Sequence, residues 1–377
     1  MRRSPILVAA LLALLSGTSL GGEVSPASRP PGRIVYSDTI GAGRKALFIA
    51  RADGSRPKQI TAGPNDFSPK WSPGGRKIVF VRSSAPDVTA IWIVNADGTA
   101  ARPLDGDHRF AEHPRWAPNG SSIAYQVQTS AEGGSGLRAH TTFELWLVRP
   151  DGSHRRRILR GPGGISVKDN PLYSVAAGAW AWSPDGRRLA VVAGGEGSER
   201  AQIIDVRTGR IRGGGRASDV AWSPDGRRLA VVVDTNFEIG GPGCGPVWIV
   251  QRDRGKRRQL THPAKGACDL WPRWSPDGRS IVFARSSTGE GGPLRLMVAR
   301  ADGTRLQRVR SLAITRYRWP TRCGKLFEYA GGDESGWIVR PSARSAPRFV
   351  RFPVGSRTRG DTASDDPCEL AGDWICG

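Results

Sequence analysis

Residues 181–192 and 221–232 are the same twelve letters, Ala-Trp-Ser-Pro-Asp-Gly-Arg-Arg-Leu-Ala-Val-Val, forty positions apart. A chain that repeats itself in this way is built of small units, each burying its apolar face against the next. Shorter forms stand at Trp71-Ser-Pro-Gly-Gly-Arg76, Trp116-Ala-Pro-Asn-Gly-Ser121 and Trp274-Ser-Pro-Asp-Gly-Arg279, with a worn copy at Trp319-Pro320. The tryptophans at 71, 116, 182, 222, 274 and 319 are 45, 66, 40, 52 and 45 residues apart. Most of these intervals match the ~40–50-residue period of propeller blades.

The unit has internal chemistry. Ser-Pro-Asp-Gly is a tight turn: Pro presets the backbone at its second position, and Gly accepts the left-handed conformation that follows. An apolar run comes next, then a variable loop, a second apolar run and, in most copies, a second tight turn such as Ala96-Asp-Gly98 or Ala301-Asp-Gly303. A short last strand ends the unit, so four strands, A to D, form one antiparallel sheet. Seven B–C pairs can be counted: 34–36 with 46–50, 78–81 with 91–95, 123–126 with 145–149, 189–193 with 202–206, 229–233 with 247–251, 281–284 with 294–299, and 325–329 with 337–340. The expected fold is an all-β propeller of four-stranded antiparallel blades, seven in number, with six the alternative. The first pair lacks a Trp strand before it. A propeller leaves no long edge unpaired, so residues 369–376, with Trp374, are expected to supply the missing strand.

Arg2 and Arg3 precede an apolar stretch, residues 6–15, and then small residues to position 22. That is the pattern of an export signal, and the stretch is about half the ~20 residues needed to span a bilayer. The expected divisions are a signal peptide at 1–22, a linker at 23–32, the propeller at 33–352 and a C-terminal tail at 353–377 that closes it. No second apolar span follows, so no transmembrane segment is expected after signal removal. The location is expected to be periplasmic or extracellular. There Cys244, Cys268, Cys323, Cys368 and Cys376 can form disulfides; Cys244 and Cys268 flank the same strands. Zinc is the alternative, without Cys-x-x-Cys spacing to support it.

Net charge is +22, with 56 Lys and Arg against 34 Asp and Glu. An anionic polymer is therefore a candidate partner. Most Arg residues fall in turns or scatter through loops and form no single stripe with interleaved aromatics, so no nucleic-acid partner is expected. The chain has no His-Glu-x-x-His motif and no phosphate-binding Gly-x-x-x-x-Gly-Lys-Ser/Thr loop. Its Gly-x-Ser-x-Gly, Gly17-Thr-Ser-Leu-Gly21, lies in the export signal with no strand before it. The five histidines, 108, 113, 140, 154 and 262, are scattered. No catalytic, cofactor or metal residue is assigned.

The fuller unit, Asp-x-x-Pro-x-Trp-Ser-Pro-Asp-Gly-Arg-x-Ile-x-Phe, stands complete at Asp269–Phe283 and nearly so at Asp66–Phe80. It resembles the repeat of the TolB-like β-propellers, which are related to WD-repeat propellers, and the likeness covers about 320 residues. The resemblance implies a protein-binding role outside the cytoplasm of a bacterium. The same propeller type also precedes the catalytic domain of prolyl oligopeptidase-like peptidases, and no ~200-residue segment remains here to house one.

Strands alternate in direction, so the A–B and C–D turns share one face of the disc and the B–C and D–A connections the other. The long insertions, 128–142, 161–178, 234–246 and 262–269, are all of the second kind. Loops grouped on a rigid scaffold suit binding. Arg138, His140, Asn170, Tyr173, Phe237 and Cys244 are the candidate contacts, since aromatics and Arg often dominate interfaces. Trp71, Trp116, Trp182, Trp222 and Trp274 recur at one blade position and are read as inter-blade packing. Asp185 and Asp225 are read as turn formers, and Asp66 and Asp269 are expected to bond backbone between blades. The expected function is a monomeric, non-enzymatic scaffold holding an envelope or secreted protein. The alternatives are a lyase or hydrolase with its site in the central funnel, and a binder of anionic cell-wall polymer.

Overall fold

A computed structural model describes residues 32–41, 43–51, 55–85, 88–104, 106, 108–130, 141–162, 180–193, 200–233, 245–253, 255–287, 294–308, 316–318, 326–329, 335–339, 348–351 and 373–376. Among these residues the strands form seven antiparallel sheets and no helix. Sheet 2 runs Asp66–Trp71, Lys77–Ala85, Val88–Asn95 and Arg102–Pro103, with His108–Arg109 as an extra strand on its third member. Sheet 3 runs Ala111–Trp116, Ile123–Ser130, Thr141–Val148 and Arg156–Pro162. Sheet 4 runs Trp180–Trp182, Arg188–Ala193, Arg200–Asp205 and Ile211–Arg216. Sheet 5 runs Asp219–Trp222, Arg228–Val232, Val247–Gln251 and Arg257–Gln259. Sheet 6 runs Cys268–Trp274, Ser280–Ser286, Leu294–Arg300 and Gln307–Arg308. Sheet 7 runs Arg316–Arg318, Leu326–Tyr329, Ser335–Val339 and Arg348–Arg351. The chain is thus an all-β propeller of four-stranded antiparallel blades.

Sheet 1 is assembled from distant parts of the chain. Gly32–Thr39, Lys45–Arg51 and Lys58–Gln59 are its strands B, C and D, and Asp373–Cys376 lies on Gly32–Thr39 as strand A. Trp374 stands opposite Ile34. This is the register in which Trp71 faces Ile78, Trp222 faces Leu229 and Trp274 faces Ile281.

The A–B turn repeats atom for atom. In sheet 4 the Ser183 hydroxyl donates to Asp185 Oδ1 at 2.6 Å, and the backbone N–H of Arg187 donates to the same oxygen at 3.0 Å. The Arg188 N–H donates back to Ser183 Oγ at 2.9 Å. Ser223 with Asp225 and Ser275 with Asp277 repeat the pattern. The turn closes on Gly186 and Gly226, at φ +67° and +65°, where a side chain would be strained. The repeated Asp residues are therefore turn formers.

The apolar core is divided among the gaps between neighbouring sheets. Val35, Leu47 and Ile49 of sheet 1 pack on Ile78, Phe80 and Trp71 of sheet 2. Val247 and Ile249 of sheet 5 likewise pack on Ile281, Phe283 and Trp274 of sheet 6. Each such buried side chain contributes ~1.5–3 kcal/mol. Three polar devices cross the same gaps. First, four of the five repeat indoles donate to the carbonyl just before the previous repeat's tryptophan: Trp116 to Lys70, Trp182 to Arg115, Trp222 to Ala181 and Trp274 to Ala221, at 3.1–3.2 Å. Second, the residue opening strand B reaches the next turn. Arg33 donates to Gly75 O and lies over Trp71, and Arg228 donates to Gly278 O and lies over Trp274. Third, a cation at the start of strand D caps a carbonyl of the next C–D turn: Lys58 on Asp97, Arg102 on Pro150, Arg156 on Val206 and Arg258 on Asp302. Part of the chain's arginine content is thus used as fasteners between sheets.

Trp71, Trp222 and Trp274 are buried, at 5%, 8% and 7% exposure. Trp116 and Trp182 are half-buried.

Candidate functional site

The face opposite the tight turns carries the long connections, and its inner rim is the start of each strand A. Three of these strands share one irregularity. Ser68, His113 and Trp271 each stand three residues before the repeat tryptophan, precede a proline, and have φ of 51°, 53° and 54°. Strand register shifts at each point. Proline cannot donate to a ladder and sits in strands at edges or bulges, so the bulge absorbs it. Sheets 4 and 5 have Trp180-Ala181 and Val220-Ala221 there, without proline, and their strands pair without a shift.

Beside the bulge lies a fixed charge pair. Arg82 holds Asp66 through two hydrogen bonds of 2.6 and 2.9 Å, and Arg285 holds Asp269 at 2.6 and 2.8 Å. Both carboxylates are fully buried. These contacts lie within one sheet, between directly opposed residues of strands A and B. The expectation of backbone bonding between blades was therefore wrong for these side chains; what crosses the gap is Ser37 Oγ, donating to the Asp66 carbonyl at 2.6 Å. Sequence reasoning missed the two arginines, although the repeats hold the signal. In the two fullest repeats Asp66 and Asp269 face Arg82 and Arg285, whereas Ala111 faces Val127 and Asp219 faces Val232. Asp219 pairs instead across the gap with Arg273, at 3.1 Å. In sheet 3, Glu144 accepts from Arg157 at 2.7 Å and from the Trp146 indole at 2.9 Å. Carboxylates held in this way brace the rim. Among the described residues no cluster of three or more His, Cys, Asp or Glu could hold a metal ion.

The six candidate contacts, Arg138, His140, Asn170, Tyr173, Phe237 and Cys244, lie outside the described residues. The structure does define where their loops depart. The sheet 3 hairpin continues to Ser130 opposite Thr141, so its B–C loop is residues 131–140, shorter than the 128–142 expected. Its strand D continues through Pro162. Gly245 forms a bridge with Asp269, joining the B–C loop of sheet 5 to the first strand of sheet 6. Cys268, next to that bridge, is disulfide-bonded. No helix among the described residues is long and apolar enough to cross a membrane.

No family model matches the chain. Over 93 residues it is 33% identical to the Tol-Pal system protein TolB of Anaeromyxobacter dehalogenans, covering 25% of this chain and 21% of that protein. Over 150 residues it is 28% identical to dipeptidyl-peptidase 5 of Porphyromonas endodontalis, covering 37% of this chain and 18% of that one. The chain thus matches about a fifth of the length of each. A solved prolyl endopeptidase superposes with a TM-score of 0.61 at 15% identity, over 87% of this chain and 50% of that chain. That likeness shows the fold alone.

Proposed function

Starting from the premise that the chain is a TolB-like β-propeller, we propose that it is an exported, non-enzymatic scaffold which holds a protein of the cell envelope or extracellular space on its long-loop face. The observation that carries this reading is the one-sided placement of the insertions on a braced rim. Residues 131–140, 163–179 and 234–244 all leave the sheets at the end opposite the uniform turns. Segments of varied length on a rigid support are what a recognition surface needs. The likeness to a Tol-Pal system protein supports an envelope location. Arg138, His140, Asn170, Tyr173, Phe237 and Cys244 remain the proposed contacts.

The likeness to dipeptidyl-peptidase 5 favours a second reading, in which the propeller serves a peptidase. Against it, the chain's Gly-x-Ser-x-Gly, residues 17–21, falls in the expected export signal and not between an expected strand and helix. The test is crosslinking of the tagged protein in its native envelope, beside a variant lacking residues 163–178. A partner captured by the intact chain and lost with the loop supports the scaffold. Capture of no protein partner that depends on the loop, or peptide hydrolysis by the purified chain, overturns it.

A further inference from the structure

The opposite face has a chemistry of its own. The described A–B and C–D turns end there, and they are short, so they project less than the connections of the other face. Its acids are mainly the turn aspartates, each folded back on its own turn: Asp277 on the Ser275 hydroxyl, Asp302 on Thr304. Its bases are more numerous. Asp205 shares its turn with Arg207, Arg210 and Arg212, and Asp302 shares its turn with Arg300 and Arg305. Some bases are the inter-sheet fasteners described above. Another set stands beside the turn aspartates, which the side chains of three of its members attract without bonding them. Arg76, Arg187, Arg227 and Arg279, each following the turn glycine, are exposed and make no side-chain hydrogen bond among the described residues.

Among the described residues two large apolar side chains are exposed, Ile211 at 46% and Leu306 at 45%. Ile211 opens strand D of sheet 4 and Leu306 directly precedes strand D of sheet 6, both at the C–D turn end, and both adjoin arginine, in Arg210-Ile211-Arg212 and Arg305-Leu306. Single exposed apolar residues are ordinary. Two at one level of the disc, each set among cations, match the make-up of an interfacial surface, with bases for headgroup phosphates and apolar groups for the acyl boundary. A soluble polyanion would engage the bases and have no use for Ile211 and Leu306.

We propose that the tight-turn face docks the protein on an anionic lipid bilayer, guanidinium groups pairing with phosphates and Ile211 and Leu306 entering the interface. Guanidinium forks suit bidentate phosphate contact. The surface is separate from the long-loop face, so the proposal stands or falls independently of the partner.

The test is co-sedimentation of the signal-free chain with vesicles of phosphatidylcholine alone and of phosphatidylcholine with phosphatidylglycerol. Binding is expected on the anionic vesicles, falling steeply with salt. The variant R76Q/R187Q/R227Q/R279Q should lose about fivefold in affinity per arginine, several-hundred-fold together. The variant I211S/L306S should weaken vesicle binding and leave retention on immobilised dextran sulfate unchanged. Equal binding to neutral and anionic vesicles overturns the proposal, as does a natively melting arginine variant that binds like the parent. Unchanged vesicle binding by I211S/L306S overturns the lipid commitment in favour of a soluble polyanion. The salt titration of the unaltered protein supplies the electrostatic readout even if a variant fails to fold.

Discussion

Trp274→Ala tests the packing argument most directly. The Trp274 ring is buried between sheets 5 and 6 among Val247, Ile249, Ile281 and Phe283. Its indole N–H donates to Ala221 O at 3.2 Å, and Arg228 lies 4.6 Å from the ring centre. Truncating a buried Trp to Ala costs ~3–5 kcal/mol. Unfolding entropy is ~2.1 cal/mol/K per residue, so over the unit Pro31–Gly377 each kcal/mol shifts Tm by about 1.4 °C. Trp274→Ala should therefore lower Tm by about 4–7 °C. Trp274→Phe keeps most of the ring and loses the hydrogen bond, and should lower it by about 1–2 °C. Trp182 makes the same kind of bond, to Arg115 O, and is only half-buried; its Ala variant should lose roughly half as much as Trp274→Ala. Calorimetry or circular dichroism reads all three. A Trp274→Ala shift within about 1 °C of zero, or a larger loss at Trp182, would refute the reasoning.

Four further outcomes are expected. Asp269→Ala leaves Arg285 unpaired and should cost ~3–5 kcal/mol, whereas Asp269→Ala with Arg285→Val, which copies the Ala111–Val127 pair of sheet 3, should recover most of it in denaturant titration. Removing residues 373–377 bares the edge of Gly32–Thr39, so Tm should fall and limited proteolysis should begin near that strand. Peptide mapping without reductant should recover Cys268 joined to Cys244, one residue from the Gly245–Asp269 bridge; Cys268 joined to Cys323, Cys368 or Cys376 would contradict this. The Ser275 hydroxyl, then the Arg279 N–H, hold the Asp277 carboxyl below its ordinary 3.8. Its pKa is depressed in the folded state, so its contribution is present above the unfolded value and lost as pH falls through the folded one. Tm should be level near neutrality and decline below about pH 4, less steeply in Asp277→Ser.

What the sequence could reveal depended on the range of each interaction. The A–B turn is local: Ser183, Pro184, Asp185 and Gly186 satisfy one another, so the letters sufficed. The B–C pairs were legible because apolar runs alternate with turns. Burial of the repeat tryptophans was not uniform, although residues 181–192 and 221–232 are identical. Trp222 leans on sheet 4, where Ala181 precedes the neighbouring tryptophan, and Trp182 leans on sheet 3, where the longer Arg115 does. The environment across the gap decides, and no single repeat contains it. The ion pairs of Asp66 and Asp269 escaped notice because their partners lie one strand away, sixteen residues on. The hairpin of sheet 3 ran past its expected end because Gln128, Thr129 and Ser130 continue the strand without an apolar pattern to announce it. The contacts chosen on the long loops lie beyond the described residues, so the binding face is legible as a place and not yet as a set of side chains.

The strand Asp373–Cys376 has a consequence for how the protein is made. A ribosome delivers Gly32–Thr39 more than three hundred residues before the segment that covers it. Throughout synthesis, that first strand presents a bare hydrogen-bonding edge. The later sheets can stack one upon another as they emerge, since each needs only its neighbour. Sheet 1 is completed by a strand made after all the other described ones, so its closure follows delivery of the repeats between them. A second copy carries the same strand, so at high local concentration two unfinished chains can close each other, and dilution during refolding should favour the monomer.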